Sequence, residues 1–558
     1  MSEYSIGRQE QLFVAPESGY GQAGTPASGS AVSHLTCTLA FTRERADRTD
    51  RGPTRGTAQR VTRRRKGEWS VEGYLIPSGA PAQEPDVADL IKAMCFGDAQ
   101  ITQAATVGAS PEPTASVFAI SPADAVAAGQ FVRVGSEVRP VTENDGGTLT
   151  VDPPLSSAPS AGDPVGVTVN YRLQTENDGS FTLWRFGTHE AQALTGCVGD
   201  RMTLSLSGGE EARIAFHGPA RDEIIAGTDA LDGLISDKGF SQSGANPETD
   251  LSGGSDNAFK ISVDGAAAVT VTLNQAACTT GENTAAEMQS KIQAEGGVLA
   301  GVTATYNGSP PTDYYLVRGS TTQQDSSVTI IDADSNSCAA ALKLGTVNGG
   351  RELCFGQIQA VQARKFSAGP VIAVDQERMK VLSTDADTGI CEVDRAYDGT
   401  DAAPHDDGAE VRPHSPDPET FGSPVPGILG GFFIDDRAVP ILETSMELAE
   451  NVGTLDGLYG SDASQGFVYP ARRKVSLKAK VLLTTDTWSL YGKARTFETM
   501  SVLLQSGRDA GSVFAVYLPR VEWTLPQVSL PPDGEVVVEL SGAALETEGN
   551  DELYLAFA

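Results

Sequence analysis

Histidine, methionine and tryptophan are scarce in this chain: 5, 7 and 4 among 558 residues. None of the histidines stands beside a plausible catalytic partner in sequence, so acid–base chemistry on imidazole has little to draw on. No apolar run approaches the roughly 18 residues that a membrane helix needs. The start, MSEYSIGRQEQ, lacks the basic and apolar regions of a signal peptide, and the expectation is a soluble protein made in a cytoplasm. The seven cysteines (Cys37, Cys95, Cys197, Cys278, Cys338, Cys354, Cys391) are odd in number and never closer than 16 positions, which argues against a disulfide framework or a zinc site. Walker-type phosphate loops, GxGxxG after a strand, GxSxG elbows and HExxH are missing, and no pair of carboxylates stands in a glycosidase-like context. Neither catalysis nor a cofactor is expected.

Turn formers and acids are plentiful: 60 glycines, 31 prolines, and 73 acidic against 41 basic residues, for a formal charge of −32. That composition favours many short strands, and the length favours two to four domains. An acidic surface disfavours nucleic-acid binding by the body of the protein. One segment opposes this trend. From Arg43 to Lys66 the chain reads RERADRTDRGPTRGTAQRVTRRRK, with 10 basic and 3 acidic residues among 24.

The flanks of that segment explain its position. In HLTCTLAFT, Leu35, Cys37, Leu39 and Phe41 alternate with polar residues, and in GEWSVEGYLIP so do Trp69, Val71 and Leu75. Period two marks half-buried strands, so the basic segment is expected to connect a long β-hairpin. EPDVADLIKAMCFG then puts Val87, Leu90, Ile91 and Met94 at helical spacing. Strands are expected at 167–173 and 181–186, and MTLSLSGGEEARIAFHG predicts a further hairpin. The last 120 residues repeat this order, with a strand near 444–450, a long loop, RRKVSLKAKVLL, the helix-like DTWSLYGKARTFETM, and strands near 512–518, 535–540 and 552–557.

A second repeat relates GQFVRVGSEVRPVTENDGG from Gly129 to GPVIAVDQERMKVLSTDADTG from Gly369, each expected to be a meander of short strands. Between them, about 251–352, FKISVDGAAAVTVTL, NTAAEMQSKIQAE, VTATY and YYLVRG predict a compact α+β insert joined by the linker-like SQSGANPETDLSGGSDN. His405, in APHDDG, could ligate a metal with Asp406 and Asp407, but a solvated acidic turn is the stronger reading. DADSNS, at 332–337, lacks the glycine and glutamate of a calcium loop and is read as a turn.

The order of these features resembles the major tail tube proteins of long, non-contractile-tailed bacteriophages. The opening PESGYGQAGTP, the hairpin HLTCTLAFT to GEWSVEGYLIP, EPDVADLIKAMCFG, TGCVGDRMTLSLSGGEEARIAFHG and the ending LPRVEWTLPQVSLPPDGEVVVELSGAALETEGNDELYLAFA carry the resemblance. It implies a fold that is mainly β with an α+β insert: a tail-tube-type β-sandwich or barrel with a flanking helix, duplicated, plus externally displayed insert modules. The expected boundaries are 1–115 for the first part of one tube domain, 116–168 for an inserted β module, and 169–244 for the remainder of that domain. They continue with 245–352 for an inserted α+β module, 353–415 for a second β module and 416–558 for a second tube domain.

The resemblance further implies a virion tail protein whose rings stack into a conduit for DNA, which passes through an acidic lumen without specific binding. Its partners would be other copies, as homotrimeric pseudo-hexameric rings or as hexamers, together with tail terminator, tape measure and tail-tip proteins. The outer modules would be free to touch a host surface. A tail-tip or fibre-type adhesion protein is the alternative. In either case the basic residues Arg43, Arg45, Arg48, Arg51, Arg55, Arg60, Arg63, Arg64, Arg65 and Lys66 are expected to contact another copy. Their expected target is the acidic loop AENVGTLDGLYGSD, with Glu450, Asp456 and Asp462.

Overall fold

A computed structural model describes residues 9–47, 60–177, 179–529 and 536–558. The protein is mainly β, with sandwich-like and barrel sheets and a small helical part. It forms two compact units. The larger comprises the described residues of Gly7–Arg185, Gln192–Glu223 and Pro416–Ala558; the smaller centres on Ile224–Ser415.

The larger unit contains the same nine-element arrangement twice. In the first copy the elements are Gln11–Pro16, Ala31–Val32, Thr36–Asp47, Arg60–Tyr74, the helix Ala88–Ala93, Phe181–Phe186, Glu190–Cys197, Arg201–Ser207 and Arg213–Ala220. In the second they are Gly430–Ile434, Arg437–Ala438, Ile441–Ala449, Lys474–Leu482, the helix Thr485–Arg495, Thr499–Ser506, Phe514–Trp523, Gln527–Ser529 and Val537–Ala544. Neighbour relations match as well as order. Arg60–Tyr74 lies between Thr36–Asp47 and Arg213–Ala220, as Lys474–Leu482 lies between Ile441–Ala449 and Val537–Ala544. The strands 190–197, 181–186, 11–16 and 31–32 follow one another in their sheet as 514–523, 499–506, 430–434 and 437–438 do in theirs. The duplication read from the sequence is present in the fold.

The two copies share one sheet. Arg201–Ser207, at the end of the first, pairs antiparallel with Ile441–Ala449, at the start of the second, from Arg201 opposite Ala449 to Ser207 opposite Glu443. Alternation drives this: Met202, Leu204 and Leu206 point inward to meet Met446 and Leu448, while Thr203, Ser205, Ser445 and Glu447 face out. The inward residues of both copies form one apolar cluster, including Trp69, Val71, Phe216, Leu477, Val516 and Trp523. Each fully buried large side chain contributes about 1.5–3 kcal/mol, so the shared core ties the copies into one folding unit.

Inserted in the first copy is a closed six-stranded barrel: Ala105–Val107, Val117–Ser121, Phe131–Val134, Glu137–Asp145, Thr148–Val151 and Pro164–Gly166. It has its own core around Phe118, Val132 and Leu149. Its first strand precedes the expected boundary at 116. Three residues are too few for their alternation to stand out in sequence. The barrel packs through Phe131 and Val138 onto Leu503, Ala515 and Tyr517 of the second copy, covering that sheet on the face turned away from the shared core.

In the smaller unit, a six-stranded sheet runs in the order 229–230, 410–413, 371–374, 377–384, 390–394, 357–359. This is the strand order of the first barrel, and a bridge between Leu231 and Ala360 completes the circuit. The α+β insert is nested between the strands 229–230 and 357–359, where the first barrel has only the connection from Val107 to Val117. The insert packs the helix Gly281–Ala294 and two small sheets around Phe259, Ile292, Val317 and Leu344. The stretch read as a linker contributes a strand here: Phe240–Gln242 pairs with Tyr314–Arg318 and Arg351–Leu353.

Candidate assembly surface

The basic segment is less of a loop than its composition implies. Strand pairing of Thr36–Asp47 with Arg60–Tyr74 continues from Thr36 opposite Glu72 out to Asp47 opposite Arg60, with a bulge between Arg43 and Arg45. Arginine at consecutive positions hides the alternation that would reveal these strands in sequence. Arg43, Arg45, Arg60, Arg63, Arg64, Arg65 and Lys66 are therefore strand residues, while Arg48, Arg51 and Arg55 lie outside the described residues.

Several of these cations have partners within the chain. Arg65 Nη2 lies 2.9 Å from Asp462 Oδ1, Arg65 Nη1 lies 2.6 Å from Asp222 Oδ2, and Arg43 Nη2 lies 3.3 Å from Asp462 Oδ2. The Arg65 amide also donates to the Asp462 carbonyl at 2.7 Å. The hydrogen bond from Arg65, with the charge of Arg43 added, holds the Asp462 carboxyl below its ordinary pKa. Arg60 pairs across the hairpin with Asp47 at 2.9 Å. Arg45, Arg63 and Lys66 are exposed, and Arg64 is half-buried.

The three acids read as one patch are three different things. Asp462 takes Arg43 and Arg65 as described. Asp456 accepts from the Thr454 hydroxyl at 2.9 Å in a local turn. Glu450 is not on an exposed loop at all: it is 2 % exposed, with Arg473 Nε at 3.0 Å and Glu552 on the same guanidinium at 3.1 Å. Burial raises the Glu450 carboxyl, against the pull of Arg473. Glu450 and Arg473 occupy the places that Arg43 and Arg65 hold in the first copy, since Arg43 opposes Arg65 in the hairpin register and Ala449 opposes Lys474 in the other. One repeat thus carries its own counter-ion, and the other takes Asp222 and Asp462 from elsewhere in the chain. Asp222 and Arg473 carry no sequence pattern that marks them for these roles.

His405 is not in a solvated turn. It is 2 % exposed, with Nδ1 2.8 Å from Asp375 Oδ2 and Nε2 2.9 Å from Glu377 Oε2. Glu377 also receives Arg395 at 2.9 and 2.7 Å and the amides of Ala396 and Ala403. Burial pushes the Glu377 carboxyl up, but the bonds from His405 and Arg395 outweigh it and hold the pKa at about 2. Among the described residues no cluster of His, Cys, Asp or Glu is placed to hold a metal ion.

Two of the strand edges left open in the large sheet, among the described residues, lie at the outer ends of the two repeats. Thr36–Asp47 pairs only with Arg60–Tyr74, and Gln527–Ser529 only with Val537–Ala544. Cys37 and Phe41 on the first, and Val528 on the second, are only partly buried against the core. Exposed backbone donors and acceptors beside incompletely covered apolar side chains are an invitation to pair with another chain.

The outward face of this sheet is not acidic. Its rows alternate in sign: Glu72 faces Arg213 at 3.7 Å, Arg201 faces Glu447 at 4.0 Å, and Lys480 meets Glu443 at 2.5 Å. Serine and threonine are the commonest of the remaining residues, such as Thr38, Thr203, Ser205, Ser445, Ser476 and Ser541, beside Lys474, Lys478 and Glu539.

No protein-family model matches this chain, and no curated protein matches it.

Proposed function

We propose that the protein is a structural component of a phage tail tube, in which three copies close into a ring of six repeats and rings stack into a conduit for DNA. The observation that carries this reading is the internal junction between Arg201–Ser207 and Ile441–Ala449. It joins the end of one repeat to the start of the next, and the same two kinds of edge are left open at the ends of the chain. A module that joins head to tail inside a chain can join head to tail between chains, and closure into a ring pairs both of these edges.

The layering supports the same reading. If the charge-balanced face of 36–47, 60–74, 201–220, 441–482 and 537–544 lines the channel, the first barrel, which packs on Leu503, Ala515 and Tyr517 across the shared core, sits clear of it. A channel wall of Ser and Thr in which Arg201, Arg213 and Lys480 each stand beside a carboxylate offers phosphate few unneutralised sites to hold. The expected acidic lumen is thereby replaced by a neutral one in this proposal. Tail terminator, tape measure and tail-tip proteins are the partners it entails. Electron microscopy of the purified protein at rising concentration tests it: hollow tubes or stacked rings support the proposal, and a protein that stays monomeric at every concentration contradicts it.

A further inference from the structure

Resting on that ring reading, we infer the register of the contact between copies: the strand Thr36–Asp47 of one copy pairs antiparallel with 525–529 of the next, placing Leu39 opposite Val528 and Thr42 opposite Leu525.

The register follows from transposing the internal junction. Tyr74 opposes Arg213 as Leu482 opposes Val537, Thr203 opposes Ala215 as Gln527 opposes Glu539, and Thr36 opposes Glu72 as Glu443 opposes Lys480. These equivalences carry Leu204 onto Val528, Met446 onto Leu39, Arg201 onto Leu525 and Ala449 onto Thr42. Inside the chain Leu204 opposes Met446 and Arg201 opposes Ala449. Even the irregularity before this strand is kept: the Asp200 amide donates to the His217 carbonyl at 2.9 Å, as the Thr524 amide does to Ser541 at 2.8 Å.

The side chains suit this partner. Leu39, Cys37 and Phe41 would complete their burial against Val528, as Met446 and Leu448 do against Leu204 and Met202. Leu525, 58 % exposed here, would be covered on one side by the neighbour's Thr42. Pro526 stands where Met202 does and brings no N–H, so the open edge is a poorer template for indiscriminate pairing than the internal one.

Charge extends the fit beyond the paired strands. In the internal junction the chain leaving Ala449 crosses the end of the preceding repeat, where Asp462 reaches Arg65 beside Asp222. Asp222 transposes onto Glu546, which with Glu548 is exposed in the turn after Val537–Ala544. The segment that crosses there between copies is the described basic part of the hairpin, 43–47 and 60–66. Its target in a neighbouring copy is the turn with Glu546 and Glu548, instead of Glu450, Asp456 and Asp462.

Cysteine cross-linking tests the register. Directly opposed residues in an antiparallel pair are within disulfide reach, whereas residues two positions out of register have Cβ atoms about 7–8 Å apart and are not. Thr42→Cys with Leu525→Cys should, on mild oxidation of assembled protein, give covalent dimers and trimers on a non-reducing gel. Ala40→Cys with Leu525→Cys, and each single variant, should give at most a tenth of that yield. All three positions are exposed, and microscopy of each variant reports whether it still assembles. Rings that form but cross-link equally or better through the Ala40 variant overturn the register and leave the ring reading intact; absence of any ring in the unmodified protein overturns both.

Discussion

Arg65 and Asp462, separated by almost 400 positions, are joined twice: by backbone, amide to carbonyl at 2.7 Å, and by side chain, Nη2 to Oδ1 at 2.9 Å. A segment expected to contact another copy uses part of its charge to fix a loop of the second repeat to the hairpin of the first. The side chains are 28 % and 48 % exposed, so the ionic part is small. A double-mutant cycle with Arg65→Ala and Asp462→Ala should give a small favourable coupling at low salt that shrinks toward zero near 1 M NaCl. Zero coupling at every salt concentration would leave the backbone bond as the whole of the interaction.

Gly218 and Gly542 hold the same position in the two repeats, opposite Trp69 and Leu477. A Cβ on Gly218 would come within 1.8 Å of the Val198 carbonyl oxygen, and one on Gly542 within 2.6 Å of Val521 Cγ1. Backbone cannot yield as a side chain can. Gly218→Ala should therefore cost more than Gly542→Ala, the latter falling within the roughly 1–3 kcal/mol usual for overpacking. Denaturant unfolding of both variants measures this, and equal costs would contradict it.

The Glu377–Arg395–His405 cluster makes the smaller unit pH-sensitive at both ends. The depressed pKa of Glu377 contributes stability that is present above its ordinary 4.5 and lost as pH falls toward about 2. His405, raised above its ordinary 6.5 because its bonds to Glu377 and Asp375 outweigh the opposing effect of burial, contributes stability that is present below 6.5 and lost as pH rises through the raised value. Glu377→Gln leaves the Arg395 guanidinium, fully buried, without its counter-charge, and should cost about 3–5 kcal/mol. Thermal melts from pH 2 to 9 check both: a plateau between the two ordinary values is expected, and a flat profile would contradict the assignment.

Asp86 acts in the opposite sense. Burial pushes its carboxyl up to about 7, and its Oδ1 has no partner. The raised pKa means that ionisation costs stability progressively as pH climbs from the ordinary 3.8 toward 7. Asp86→Asn should therefore compare better with the unmodified protein at pH 8 than at pH 4. Melting curves at the two values decide, and an unchanged difference would show that Asp86 stays charged throughout.

Much of this fold was legible because its strands alternate. HLTCTLAFT, GEWSVEGY, MTLSLS and KVSLKAKV each announce a buried face, and the repeated order of hairpin, helix and strands announced the duplication. The barrels were half-legible: Phe131–Val134 and Val371–Val374 stood out, but Ala105–Val107 and Asp229–Ala230 are too short for any period. Individual residues were hidden where partners come from far away. Glu450 looks solvated beside Asn451 and Gly453, and only folding brings Arg473 and Glu552 over it. His405 sits among aspartates in sequence yet packs on Glu377, 28 positions earlier.

The central claim is that one chain supplies two of six equivalent repeats in a ring. Native mass spectrometry of the smallest soluble ring, with the rotational symmetry of tube cross-sections beside it, tests this most directly. The expected result is three chains per ring and threefold symmetry with a sixfold pseudo-repeat at the channel wall. Six chains per ring, with one chain at each of six equivalent positions, would contradict it.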